Sequence, residues 1–182
     1  MPTFPAMLKK TGHLATPRFQ GRIAIVASRY NHEYVDGLVS AATEVLKPSG
    51  AILEVFRVPG AFEIPVTASA LLERDDCEPD AIICLGLIWQ GETNHAQQIG
   101  QAVTQALMEL SWTTGVPIIH EVITVTTEAQ AKARCLDKTT NRGTEAAQTA
   151  LAMVETLQSI REEAENLSEP PPEPPKGRRH NR

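Results

Sequence analysis

Few cysteines, no long apolar run and no strong charge of one sign set the first limits on this chain. Its 182 residues hold three cysteines, Cys77, Cys84 and Cys135, an odd number without C-x-x-C spacing, which argues against a disulfide framework and against a zinc site. A reducing, cytoplasmic setting is expected. No stretch approaches the ~20 apolar residues that span a bilayer, and no apolar run follows Lys9 and Lys10 as it would in a secretory leader. Membrane insertion and export are therefore not expected. The formal charge is −5, and no basic stripe with interleaved aromatics appears in the body, so there is no footprint for a nucleic-acid backbone. Also missing are a glycine-rich phosphate loop of Walker type and any His or carboxylate cluster at metal-ligand spacing. No metal is expected.

What is present is enough apolar material, 42% of residues, for one well-cored domain. Residues 1–20, with Pro2, Pro5, Gly12 and Pro17 and no periodic pattern, read as an N-terminal arm outside the core. Residues 162–182 set Pro170, Pro171, Pro172, Pro174 and Pro175 among glutamates and end in Lys176, Arg178, Arg179 and Arg182. Such a composition buries too little apolar surface to offset chain entropy, and a disordered tail is expected. The folded domain is thus placed at 21–161. Within it, Arg22 to Ala27, Ile52 to Val58, Ala81 to Ile88 and Ile118 to Val125 read as short strands buried on both faces. Helical spacing recurs from Tyr34 to Leu46 and from Ile99 to Leu110. A further helix is expected from Pro65, a short one over Gln130 to Arg134, and a long one from about Thr144 past Leu157. Strands alternating with helices predict an α/β, single-domain, doubly wound three-layer sandwich, with a four-stranded parallel sheet of flavodoxin-like type and helices on both faces.

Open parallel sheets bind ligands beyond the carboxyl ends of their strands, so the four strand–helix junctions are the places to look for chemistry. The first, Ser28-Arg29-Tyr30-Asn31, offers a planar aromatic on which a heteroaromatic ring can stack. The second is Val58-Pro59-Gly60-Ala61-Phe62-Glu63-Ile64-Pro65. Gly60 and Ala61 there permit close backbone approach, and the Glu63 carboxylate is placed either to bind ligand hydroxyls or to cap the following helix. The third, Leu87-Ile88-Trp89-Gln90-Gly91-Glu92-Thr93-Asn94-His95, turns at Gly91, with Thr93 or Asn94 expected to cap a helix and His95 in its first turn. Free backbone N–H groups there form an anion site, and a neutral imidazole beside them can serve as general base. The fourth junction runs from Thr124 through Thr126 and Thr127 to Arg134, whose guanidinium suits bidentate phosphate binding. No lysine directly follows any of the four strands, which argues against covalent catalysis by an enzyme amine. Cys84, mid-strand, reads as a small buried hydrophobe.

Over about Gly21 to Thr156 the chain resembles the lumazine synthase family. The match is carried by the first three junctions, by Thr124 to Arg134 with Glu128-Ala129-Gln130-Ala131, and by Asn141-Arg142-Gly143-Thr144-Glu145-Ala146-Ala147, in the family's order and spacing. The resemblance implies the penultimate step of riboflavin biosynthesis. There 5-amino-6-(D-ribitylamino)uracil condenses with 3,4-dihydroxy-2-butanone 4-phosphate to 6,7-dimethyl-8-ribityllumazine, releasing phosphate and water, without a cofactor. It further implies Tyr30 as the stacking aromatic with Asn31 beside it, and Ala61, Phe62 and Glu63 holding the ribityl chain and ring. Leu87, Ile88 and Trp89 would line the pyrimidine pocket. Glu92 and Thr93 would offer backbone donors to the phosphate, Arg134 its counter-charge, and His95 the proton shuttle.

In such enzymes the pocket lies between subunits, so the resemblance implies that His120 and Arg134 come from the adjacent chain. A pentamer is the implied minimum. The run from Arg134 to Asn141 lacks the insertion that pentamer-only members carry, which permits a shell of sixty subunits, and riboflavin synthase is a candidate partner. The chain departs from the family at His120, where an aromatic is usual, at Glu121, where glycine is usual, at Gln90, and at Ala96-Gln97. These changes make the pocket more polar. Two other readings stay open: a flavin-binding or shell-forming relative without turnover, and a monomeric flavodoxin-like phosphate-binding module. The second leaves the Asn141 to Ala147 match unexplained.

Overall fold

In the computed structural model, which describes residues 19–75 and 77–168, alternating β and α periods give a single parallel sheet. The strands are β1 (Arg22–Ser28), β2 (Ile52–Val58), β3 (Ala81–Trp89) and β4 (Ile118–Val125), in the order β2-β1-β3-β4. The helices are α1 (His32–Leu46), α2 (Ile64–Leu72), α3 (His95–Thr114), α4 (Glu128–Cys135) and α5 (Arg142–Ser168). All pairings are parallel, Ile25 lying beside both Val55 and Ile83, so every strand ends on one edge.

The period of two sorts each strand between two cores. Ile23, Ile25, Ala27, Ile83, Leu85 and Leu87 face α1, α4 and α5. Ala24, Val26, Ile82, Cys84, Ile88 and Val122 face α2 and α3. The three-layer α/β sandwich expected from the sequence is therefore the fold observed. Burial on both faces holds for the inner strands β1 and β3 but not for the outer two: Ile52 and Val55 of β2 are 53% and 43% exposed, and Ile123 of β4 is only partly buried. Outer strands have one neighbour, and the helices cover the middle of the sheet first.

Local signals set the helix ends. Pro65 occupies the first turn of α2. Gly115, at φ 71°, ends α3 with its N–H on the Ser111 carbonyl. Phe19, assigned to the arm, is instead buried, with its N–H on the Ser49 carbonyl at 2.9 Å. The final helix runs to Ser168, so residues 162–168 are helical where a disordered tail was expected. The remainder of the arm, 1–18, and of the proline-rich tail, 169–182, lies outside the described residues. Among the described residues no helix is long and apolar enough to cross a membrane.

Candidate active site

The chain leaving β1 is stitched to the chain leaving β2. The Arg29 N–H donates to the Val58 carbonyl at 2.8 Å and the Tyr30 N–H to the Pro59 carbonyl at 3.1 Å. Asn31 follows with φ 57° and ψ 40°, a left-handed conformation that asparagine tolerates better than most residues. Its Nδ2 donates to the Leu87 carbonyl at 2.8 Å, and its Oδ1 accepts from the Trp89 indole Nε1 at 3.1 Å. One amide therefore ties the end of β1 to the end of β3. Tyr34, one turn along α1, meets the Trp89 ring edge-to-face at 6.0 Å and 78°.

On this platform the aromatic faces point outward. Tyr30 is 70% exposed, Phe62 62% and Trp89 37%, whereas Leu87 and Ile88 are buried in the two cores. Leu87 and Ile88 thus reach the edge through backbone more than side chain. The Tyr30 ring lies over Gly60, where a Cβ would come within 3.0 Å of it. The Glu63 carboxylate accepts the Gly60 N–H at 2.9 Å, so the capping role open to this residue is realised and orients Glu63 beside Ala61 and Phe62.

Gln90 shapes the third junction, a role its position in the sequence did not reveal. Its backbone N–H bonds the Val125 carbonyl at 2.9 Å, and its side-chain amide donates to the Gly91 and Thr93 carbonyls at 2.9 and 3.2 Å. Glu92, Thr93 and His95 all stand exposed on this turn. Asn94 is the N-cap of α3, but neither it nor Thr93 caps with its side chain, contrary to expectation. The first-turn N–H groups of α3 are left open to an anion, with His95 the first residue of the helix. Because α3 packs against the Ala61–Glu63 turn, these groups and the aromatic ledge share one corner of the sheet edge.

His120 and Arg134 are not brought to that corner. His120 lies mid-strand opposite Cys84, facing α3, with Nε2 2.9 Å from the Thr104 hydroxyl. That hydroxyl commits its one proton to the Gly100 carbonyl at 2.7 Å, so His120 Nε2 must carry a proton and donate to Thr104. Burial pushes its pKa down. Thr104, nine residues beyond His95 in α3, carried no local signal. Beside this pair a groove of about 730 Å³ opens between α3 and β4, lined by Gln90, Gln97, Gln101, Thr104, Met108 and Thr124. A second hollow, of about 660 Å³ near Arg22 and Asp80, lies at the opposite ends of the strands, away from the ligand edge. Arg134 is exposed in the last turn of α4, on the other face of the sheet from α3. It stands about 10 Å of helical rise from Thr127, where α4 begins.

The Asn141-Arg142-Gly143 motif has a structural explanation. Asn141 is buried, donates to the Cys135 carbonyl at 2.5 Å and accepts the Gly143 N–H at 2.8 Å, closing the α4–α5 turn. Arg142 pairs with Glu121 of β4 and Glu145 of α5. Among the described residues no group of three or more His, Cys, Asp and Glu side chains is assembled that could hold a metal ion.

A ledge of stacking aromatics, an amide-fixed pocket edge and a helix N-terminus beside an imidazole can bind a polar heteroaromatic and an anion and can move a proton between them. Comparison with known proteins agrees. The family model for 6,7-dimethyl-8-ribityllumazine synthase matches residues 20–158. A 6,7-dimethyl-8-ribityllumazine synthase 1 from Caulobacter vibrioides is 38% identical over 146 residues, covering 79% of this chain and 94% of that protein. The synthase of Kineococcus radiotolerans is 41% identical over 142 residues, covering 77% and 85%, and that of Aquifex aeolicus 40% over 143 residues, covering 77% and 92%. By the extent of these matches and the residues they span, the chain belongs to the 6,7-dimethyl-8-ribityllumazine synthase family.

Proposed function

We propose that this chain catalyses the condensation of 5-amino-6-(D-ribitylamino)uracil with 3,4-dihydroxy-2-butanone 4-phosphate, giving 6,7-dimethyl-8-ribityllumazine with loss of phosphate and water. The observation that carries the reading, in a chain of this family, is the corner where Tyr30, Phe62 and Trp89 stand exposed beside Glu63 and the open N-terminus of α3. The attacking amine belongs to the substrate, in keeping with the absence of lysine from the four strand ends. The protein's share is positioning, anion binding and proton transfer. Tyr30 stacks on the pyrimidine, with the Asn31–Trp89 pair and the Leu87 and Ile88 backbone at its edge. Ala61, Phe62 and Glu63 hold the ribityl chain. The N–H groups at Glu92 and Thr93 take the phosphate, and His95 carries the proton.

Arg134 and His120 fit this scheme as contributions from a neighbouring subunit, since in their own chain they stand away from the corner. A homo-oligomer, with a pentamer as its unit and a sixty-subunit shell within reach, is the assembly we propose, working in the cytoplasm and handing product to riboflavin synthase. The exposed Met108 and Trp112 of α3, 60% and 73% open, support self-association.

The test is a steady-state assay of lumazine absorbance with purified, assembled protein and no added metal or nucleotide. Product above the uncatalysed rate is expected, with Arg134→Ala lowering kcat/KM by about 10²-fold, a loss in keeping with removing a charged hydrogen bond made in the transition state. Background rate from a correctly assembled oligomer would make the chain a binder or shell instead.

A further inference from the structure

On the face of β4 turned towards α5, a carboxylate is held almost out of water. The Glu121 side chain is 11% exposed, and both its oxygens are taken by one guanidinium: Arg142 Nε donates to Oε2 at 3.1 Å and Nη2 to Oε1 at 2.7 Å. The third Arg142 nitrogen, Nη1, donates to Glu145, three residues along α5. One cation is therefore clamped by two anions. Arg134 belongs to the same corner, because the buried Asn141 bonds the Cys135 carbonyl and the Thr140 hydroxyl bonds that of Ala133, folding the end of α4 onto the start of α5. Burial pushes the Glu121 pKa up while Arg142, and to a smaller degree Arg134, pull it down; Arg134 has no ion pair of its own among the described residues.

We propose that Glu121 is a specificity-determining residue of the phosphate site: with Glu145 it more than offsets the charge of Arg142, so that Arg134 alone meets the substrate's phosphate. The inference rests on reading Arg134 as the phosphate's counter-charge, and it adds a second arginine, present but muted. Two free guanidiniums would hold a phosphate dianion by two charge-assisted forks, while one cation beside a clamp that is itself net negative holds it more weakly and lets inorganic phosphate leave after the condensation. The four side chains, two arginines and two glutamates, sum to no net charge, so the corner attracts the dianion only through the unpaired Arg134. Glu121 lies too deep to be a surface solubility charge, and its bidentate geometry is specific to the arginine it faces.

The experiment measures the inhibition constant of inorganic phosphate and the KM for the butanone phosphate in the assembled enzyme. Glu121→Gln is nearly isosteric and keeps a hydrogen bond to Arg142 while removing the anion. It should tighten phosphate inhibition about three- to tenfold, as expected for one additional charge-assisted contact, and should lower KM for the butanone phosphate more than it changes kcat. Glu121→Gln combined with Arg142→Gln should bring both values back towards those of the parent, a reversal that a merely structural role would not produce. Glu145→Gln changes a less buried residue and serves as the second variant if Glu121→Gln fails to assemble. It should shift the constant in the same direction, by about twofold. Unchanged or weaker phosphate binding in an assembled Glu121→Gln or Glu145→Gln enzyme overturns the proposal. Arg134→Gln separates the two levels of the reading. If it weakens phosphate inhibition while the glutamate variants do nothing, only the role of Glu121 falls; if it has no effect, the assignment of Arg134 falls and this inference with it.

Discussion

Asn31 spends both ends of its amide on two different partners while its backbone sits at φ 57°. Replacing it with alanine removes both bonds and keeps the unfavourable backbone, so Asn31→Ala should cost about 2 kcal/mol of stability. Asn31→Gly should recover part of that loss through the backbone alone. Denaturant titration followed by tryptophan fluorescence measures both, and an alanine variant as stable as the parent would show that the bonds to Leu87 and Trp89 are not formed in solution. Asp137 is a second residue with a definite consequence. The Thr139 hydroxyl and the Thr139 and Thr140 N–H groups hold its carboxylate, lowering its pKa from 3.8 to about 2. A depressed carboxylate pKa means that the native state favours the ionised form. Its contribution is complete above about pH 5 and fades as pH falls towards 2. Asp137→Asn should therefore lower Tm at neutral pH, and the gap from the parent should close on acidification; a gap independent of pH would refute the assignment.

At the scale of elements, the packing of α4 and α5 on α1 depends on missing side chains. A Cβ on Gly143 would be driven into the Leu38 carbonyl oxygen, and one on Gly37 into that of Cys135. Both contacts are with backbone, which cannot swing aside, so Gly143→Ala should destabilise by about 3 kcal/mol, at the upper end of the overpacking range. A thermal scan in which that variant melts with the parent would mean the helices are farther apart. The glycine was visible in the Asn141 to Ala147 motif, but its reason was not, because the surface it meets is more than a hundred residues earlier. The helices around the site were easier to read. Pro65 marks α2 within one residue, and the strict apolar spacing from Ile99 to Leu110 marks α3. The missing cap was not legible, since Thr93 and Asn94 are suitable residue types and only the turn held by Gln90 decides that neither side chain reaches back.

For the molecule as a whole, the consequence is that a single chain presents His95 and Arg134 on opposite faces of its sheet. If His95 and Arg134 of one site come from different subunits, His95→Ala and Arg134→Ala chains, each strongly impaired alone, should complement when refolded together. Random mixing at equal amounts would leave about a quarter of sites with both groups intact. Assay and light scattering on the mixture check this, and a mixture no more active than its parts would place both residues in one subunit.

Composition and periodicity alone determined the order of elements, the parallel sheet and the edge at which its strands end. Period 2 and period 3.6 are properties of neighbouring residues, and parallel strands necessarily end on one side. They also placed Tyr30, Glu63, Trp89 and His95 on that edge, because each follows directly on its strand. Tertiary structure decided which strands are outermost, which face each helix covers, and hence that Arg134 and His120 stand apart from the corner. It alone paired Asn31 with Trp89, 58 residues on, His120 with Thr104, and Glu121 with Arg142. Those partners meet through crossover connections and shared faces of the sheet, and no spacing along the chain encodes a contact that depends on where two distant strands come to lie.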